Sequence, residues 1–276
     1  MTADVPAEAP AAGTPAAGVP AAEAPAAGAP PRPPSWIWRN RDLVATPVIV
    51  VVGLALVLLY TTHRELDSVE QRALNPPYLW DKFIEHIWLT GVSTVLVIAG
   101  ALPIGIALSR PAASRICTGT LAFGGFMQAL PPYGVIILLA FLLKFGTTTA
   151  IIALVLSSFL PVLANTVVGL RQVEPALIEA ARGMGLSVRQ TLLRVEIPLA
   201  VPVMVAGIRV ALVLNVGTAT LATFIGAGGL GEPISSMLNL GRPQAAFVVS
   251  AIVAALALLI DWLAGVAERL VSGRVG

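Results

Sequence analysis

Charge is scarce in this chain. Only 12% of its 276 residues are Asp, Glu, Lys or Arg, about half the share of an ordinary water-soluble domain. Lys82 and Lys144 are the only lysines among seventeen basic residues, and each precedes Phe, so no Walker A sequence is present and the chain is not itself an ATPase. No dense basic tract exists to follow a phosphate backbone, which excludes nucleic acid as a partner. Cys117 is the single cysteine, ruling out an internal disulfide and any cysteine-based metal cluster. His63 and His86 share no ligand spacing and read as interfacial residues, so no metal site is expected. Neither Gly-x-Ser-x-Gly nor His-Glu-x-x-His occurs, and no catalytic residue is assigned.

What remains is apolar surface. Hydrophobic residues make up 57% of the chain and mean hydropathy is +0.86, the composition of an all-α integral membrane protein whose first solvent is the lipid bilayer. Residues 1–42, dominated at first by repeats of Ala, Pro and Gly, have almost nothing to build a core and read as a disordered cytoplasmic tail. A bilayer crossing needs about twenty mostly apolar residues. Six candidates follow: 43–60, 87–109, 116–145 bent at Pro131 and Pro132, 147–170 around Pro161, 199–224 and 244–267.

Basic residues gather on the cytoplasmic side, which orients the six spans. With both termini inside, Arg32, Arg39, Arg41, Arg110, Arg115, Arg171, Arg182, Arg189, Arg194, Arg269 and Arg274 are cytoplasmic. Arg64, Arg72, Lys82, Lys144 and Arg242 are external, and Arg209 lies within a span. Residues 61–85 form an external linker with five acids, including a short helix stopped at Asn75-Pro76-Pro77. Tyr78, Trp80 and Trp88 suit an aromatic belt at the interface.

The richest run of charge, EAARGMGLSVRQTLLRVEIP from Glu179 to Pro198, falls between the fourth and fifth spans. Pro175 suits the first position of a short helix, and Gly183 or Gly185 its end. Ala180 and Ala181 leave little bulk beside Glu179, so another protein's backbone can approach. Ser187 and Gln190 have capping-box spacing and start a second helix, SVRQTLLRVE, with Val188, Leu192 and Leu193 on an apolar face. Pro198 marks the return to the membrane. Two short, punctuated helices exposed to the cytoplasm suit either docking or packing on their own spans.

The insert resembles the EAA motif of permease subunits of binding-protein-dependent ABC importers. Glu179-Ala180-Ala181 is followed after three residues by Gly185, and after nine more by Val195-Glu196-Ile197-Pro198 in place of Ile-x-Leu-Pro. The likeness extends from about His86 onward. HIWLTGVSTVLVIAGALPIGIAL, MQALPPYGVIILL, LPVLANTVVGL and GTATLATFIGAGGLGEPI look most like the osmoprotectant branch, which serves glycine betaine, carnitine or choline. Methionine-importer permeases are similar relatives. The resemblance implies a type I permease domain over 86–270 with its coupling segment at 171–198, preceded by an added helix at 43–60, in a bacterial cytoplasmic membrane. It also implies that Glu179, Ala180, Ala181, Arg182, Gly183, Gly185 and Arg189 meet a separate ATPase. Two such ATPases binding ATP and Mg, a second permease and an external solute-binding protein would complete the importer; this chain would carry no cofactor.

Ionisable and polar groups inside spans are candidate pathway residues. Arg209 either lines the path or pairs with a buried carbonyl. Asn165 and Asn215 either bond between helices or face the path. Asp261 pairs with a basic group or reaches the interface. It is also the only acid deep enough for an ion-coupled secondary transporter, the rival reading. Gly226, Gly228, Gly229 and Gly231 form a tight external turn serving backbone packing, a gate or a binding-protein contact.

Overall fold

A main-chain amide in hydrocarbon has no water to bond, so apolar runs of this length fold as helices. The computed structural model describes residues 36–272, with side-chain burial for 44–270; of the tail read over 1–42, residues 1–35 lie outside the described residues and 36–42 belong to the first helix. Every regular element described is helical: α1 (Trp36–Thr62), α2 (Ser68–Ala73), α3 (Pro76–Leu108), α4 (Ser114–Ala129), α5 (Pro132–Leu142), α6 (Thr147–Arg171), α7 (Pro175–Gly183), α8 (Val188–Thr191), α9 (Ile197–Ala219), α10 (Gly231–Asn239) and α11 (Pro243–Ser272). Five helical stretches, namely α1, α3, α6, α8 running on through α9, and α11, are long and apolar enough to cross a membrane.

Several helices outrun their apolar segments. The first begins at Trp36 rather than 43, and α3 begins at Pro76 rather than 87. The prolines that stop α2 also suit the first turn of α3, where no N–H is needed. Much of the expected linker is therefore helical. Asp67 caps α2 by accepting from the amides of Val69 and Glu70 at 2.9 Å each, while Glu70 accepts from the Asp67 amide. The Glu70 amide first, then the Val69 amide and Arg242, lower the pKa of the Asp67 carboxyl below the ordinary carboxylate value. A 2.6 Å ion pair with Arg242 joins this cap to the turn before α11.

The core is three helices deep. Leu89 of α3 packs with Ala150 and Leu154 of α6, and further along Val97, Ala101 and Leu108 meet Val162, Leu163 and Val167. The two helices therefore run parallel, and the guanidinium of Arg171 donates to the carbonyl of Leu108 where both end. The third helix, α9, runs the opposite way: Ala200 and Met204 pack near Leu170, and Ala219 joins the Leu89 cluster. Its approach to α6 depends on Gly207, where a Cβ would lie 2.7 Å from Asn165 Cβ and 2.8 Å from the Pro161 carbonyl oxygen. Outside it, α11 sets Val249, Val253 and Leu256 against Val216.

The third apolar segment is broken rather than bent. Pro132 disfavours the helical region for Pro131, and Pro131 does the same for Leu130. Both residues are extended, with ψ of 124° and 139°, and α4 and α5 meet at 97°. Because α3 and α6 are parallel, this pair returns the chain from the Leu108 end to the start of α6. The first helix is peripheral: of its described side chains only Val50 is buried, beside a cleft shared with Phe247, Ala251 and Ala254 of α11.

Gly207→Leu should separate α6 from α9 and cost about 1–3 kcal/mol. The expected result is a lower melting temperature in detergent, followed by a thiol-reactive dye that reports exposure of the buried Cys117. Gly119→Leu, with nothing within 4 Å of its Cβ position, should melt like the parent.

Candidate functional site

The polar insert leaves the helical core after Arg171 and forms a short hairpin. Pro175 opens α7 at its first turn, as its fixed φ and missing donor favour. At the other end the amide of Gly185 donates to the Arg182 carbonyl at 2.9 Å, and that of Leu186 to the Ala181 carbonyl at 3.1 Å. This is a Schellman closure, which requires a left-handed residue; Gly185 has φ of +85°. Gly183 is the last helical residue instead.

The exposed face of α7 differs from the sequence expectation at one position. Glu179, Ala180, Arg182, Gly183 and Gly185 are exposed, as is Arg189 in α8. Ala181 turns inward and is 1% exposed, so its small size serves packing within the chain rather than an open surface. Two apolar side chains that sequence reasoning passed over, Leu177 and the 75% exposed Met184, stand out on the same hairpin. Their signal was present as apolar residues interrupting a polar run.

The capping box forms as its spacing predicts. The Gln190 amide donates to Ser187 Oγ at 3.3 Å and the Ser187 amide to Gln190 Oε1 at 2.9 Å. The following helix is not a separate unit. A π turn, Leu192–Glu196, carries α8 directly into α9, so the second short helix expected before Pro198 continues without interruption into the following span. Proline in a helix withholds an amide from the preceding turn, and a π turn adjusts the backbone without ending the helix. Leu192 packs inward with Ile197, whereas Val188 and Leu193 are exposed. Glu196, in the π turn, is 3% exposed and accepts from Arg110 Nη2 at 2.6 Å.

The candidate pathway residues largely join helices. Arg209 donates to both Asp261 oxygens, at 2.6 and 2.8 Å, and to Glu268 at 3.3 Å. Its partners are carboxylates of α11, not the carbonyl considered from sequence, because only a carboxylate matches the guanidinium in charge and fork geometry. Asn215 is buried and donates to Thr94 Oγ1 at 3.0 Å, joining α9 to α3. Asn165 donates to the Pro161 carbonyl of its own helix at 2.8 Å rather than to another helix.

At the opposite end from the hairpin, Gly226, Gly228 and Gly229 all have positive φ. Gly229 donates its amide to Glu85 at 2.9 Å, and Gly231 abuts the Thr220 carbonyl. Lys82 bridges Glu85 at 3.0 Å and Glu232 at 2.7 Å. A cavity of about 710 Å³ opens beside them, lined by Trp88, Gly226 and Gly228 among others. His86 is fully buried rather than interfacial. Its Nε2 donates to the Val216 carbonyl at 3.1 Å, and α3 begins early enough to carry it into the core.

The geometry is that of a multi-pass membrane protein with a capped hairpin inserted between two of its long helices. The chain belongs to the binding-protein-dependent transport system inner membrane component family, whose model matches residues 101–273. This is a family of multi-pass inner-membrane transport components rather than enzymes. The chain is 38% identical over 188 residues to the glycine betaine/carnitine/choline transport system permease protein OpuCB of Bacillus subtilis, covering 68% of this chain and 86% of that one. It is 37% identical to the osmoprotectant import permease protein OsmY of Salmonella typhimurium, with 77% and 89% covered. It is 35% identical to the carnitine transport permease protein OpuCD of Listeria monocytogenes, with 71% and 87% covered. Its fold matches an inward-facing conformation of the MetNI methionine ABC transporter with a TM-score of 0.64 at 22% identity, covering 72% of this chain and 99% of that one. The fold is that of a type I ABC importer permease.

Gly185→Ala should strain the closure of α7 by about 1 kcal/mol. Hydrogen exchange at the Leu186 amide is expected to speed up about fivefold. Gly183→Ala, at a helical position with nothing within 4 Å, should leave that amide unchanged.

Proposed function

We propose that this chain is the permease of an ATP-driven importer for a quaternary-ammonium osmoprotectant such as glycine betaine, carnitine or choline. The observation that carries the solute class is the agreement among relatives 35–38% identical over most of their length, each named for these solutes or for osmoprotectant import. One copy forms half of a translocation path. A second permease, identical or homologous, completes it, with two ATPases on the cytoplasmic side and a solute-binding protein outside. ATP and Mg belong to the ATPases. Solute selection falls mainly to the binding protein, where an aromatic cage would hold the ammonium by cation–π attraction.

In this arrangement the chain crosses the membrane six times with both termini inside. Two facts support six: α3 and α6 are parallel, so the broken α4–α5 pair spans the distance between their opposite ends, and the basic residues then concentrate on the hairpin side. The hairpin becomes the ATPase contact. Glu179, Ala180, Arg182, Gly183, Gly185 and Arg189 supply polar and small surface, and Met184 and Leu177 supply apolar anchors. Ala181 sets the shape of α7 from within. Arg209 and Asn215 shape the path by fixing the helices around it, Asn165 contributes to it from α6, where its Cβ faces Gly207 of α9, and the Gly226–Gly231 turn closes its outer end by packing. An ion-coupled carrier needs an acid free to exchange its ion, whereas Asp261 is bonded by both oxygens to Arg209.

Proteoliposomes containing this chain, its ATPase and its binding protein should import radiolabelled glycine betaine, carnitine or choline only when ATP is hydrolysed. Uptake driven by a sodium or proton gradient without ATPase would overturn the assignment. Met184→Asp, which alters an outward side chain, should lower ATPase recovery on co-purification about tenfold while leaving membrane insertion intact.

A further inference from the structure

The hairpin is covalently continuous with α6 and α9, but not with α3. Any force on α7 reaches α6 and α9 through the backbone. It reaches α3 only through side chains, and the structure supplies them on both arms of the hairpin.

On the outgoing arm, Arg171 Nη2 donates to the Leu108 carbonyl at 3.2 Å. That oxygen is among the last carbonyls of α3, which have no partner within the helix. On the returning arm, Glu196 accepts from Arg110 Nη2 at 2.6 Å, just past the end of α3. Ser109 Oγ fixes the guanidinium by accepting from Nε at 3.1 Å and Nη2 at 2.9 Å. The Glu196 side chain is only 4% exposed, against 32% for Arg110. Beneath both contacts, Leu102 and Ile106 of α3 pack with Leu170, Leu192, Ile197 and Met204. The π turn controls where Glu196 points: one residue more or less would rotate it by about 100° around the helix.

We infer that Arg110 and Glu196, with Arg171, form a clasp that makes α3 move with the ATPase-facing hairpin, and that Glu196 and Arg110 are positioning residues for coupling. This inference rests on the docking role assigned above. Separating α3 from the hairpin would strip a nearly buried carboxylate of its cation, which is more costly than moving the two together. The helix then transmits the displacement. From Leu108 back to Glu85 it covers about 35 Å, and there Glu85 holds the Gly229 amide and His86 the Val216 carbonyl. The clasp thus links the cytoplasmic hairpin to the outer glycine turn and its cavity through one continuous helix.

The test uses the whole importer, captured through its ATPase so that only folded, docked permease is measured. Solute imported per ATP hydrolysed is then compared in proteoliposomes. Glu196→Gln and Arg110→Gln should each bind the ATPase as the parent does and still hydrolyse ATP, while import per ATP falls about tenfold. The swapped pair Arg110→Glu with Glu196→Arg should recover part of that loss. A brace serving only stability would reduce the amount of complex without changing the ratio. An unchanged ratio in either single variant overturns the clasp. If Glu196→Gln yields no complex, Arg110→Gln decides, since its guanidinium is the more exposed partner. Failure of the parent chain to hold the ATPase would sink the docking role and the clasp together; parental binding with an unchanged ratio sinks the clasp alone.

Discussion

Two helices approach backbone to backbone most closely where one of them carries no side chain, and α6 meets α9 in this way at Gly207 and again at Gly169. In a membrane there is no hydrophobic gain from pressing one apolar helix on another, so close packing and a few polar bonds must hold them. The polar bonds depend on the close approach. Asn215 reaches Thr94, and His86 reaches the Val216 carbonyl, because α9 lies close beside α3 and α6. On its other side, α9 presents Arg209 to the carboxylates of α11. The hairpin emerges where it does because its two roots, Arg171 and Glu196, belong to helices already set by that contact.

Polar groups among the spans act mainly as ties between helices. An isolated charge at this depth is costly, and Arg209 is bonded to Asp261 through two parallel contacts. A half-buried bidentate pair fixes orientation as well as separation. Hydrocarbon therefore favours few ties, each well made.

Much of this was legible in the residues, and each miss has a physical cause. Long apolar runs announced α1, α3, α6, α9 and α11, and the Ser187–Gln190 spacing announced its cap. Gly185 was read as one of two possible stops, and only the backbone distinguishes the left-handed position from the helical one. Hydropathy misplaced the starts of α1 and α3, since a helix continues past the hydrocarbon as long as its backbone bonds can form. It therefore left His86 at an interface when the helix buries it. Ala181 was misread because alanine in a short helix gives no sign of facing in or out. The Pro131–Pro132 pair pointed to a bend, but the restriction each proline puts on its predecessor produces a break. Glu196 drew no notice as a variable position of a motif; its partner lies 86 residues away, beyond any local pattern.

The peripheral placement of α1 bears on how the protein is made. A segment with only one buried side chain among those described has little to wait for, so it can leave the translocon and settle in lipid before later segments are synthesised. Arg39 and Arg41 precede its apolar stretch, and such residues resist translocation. Among the described spans it is the earliest off the ribosome. In the six-span arrangement proposed above, the direction it adopts is inherited by each span after it, including the one that leads into the hairpin.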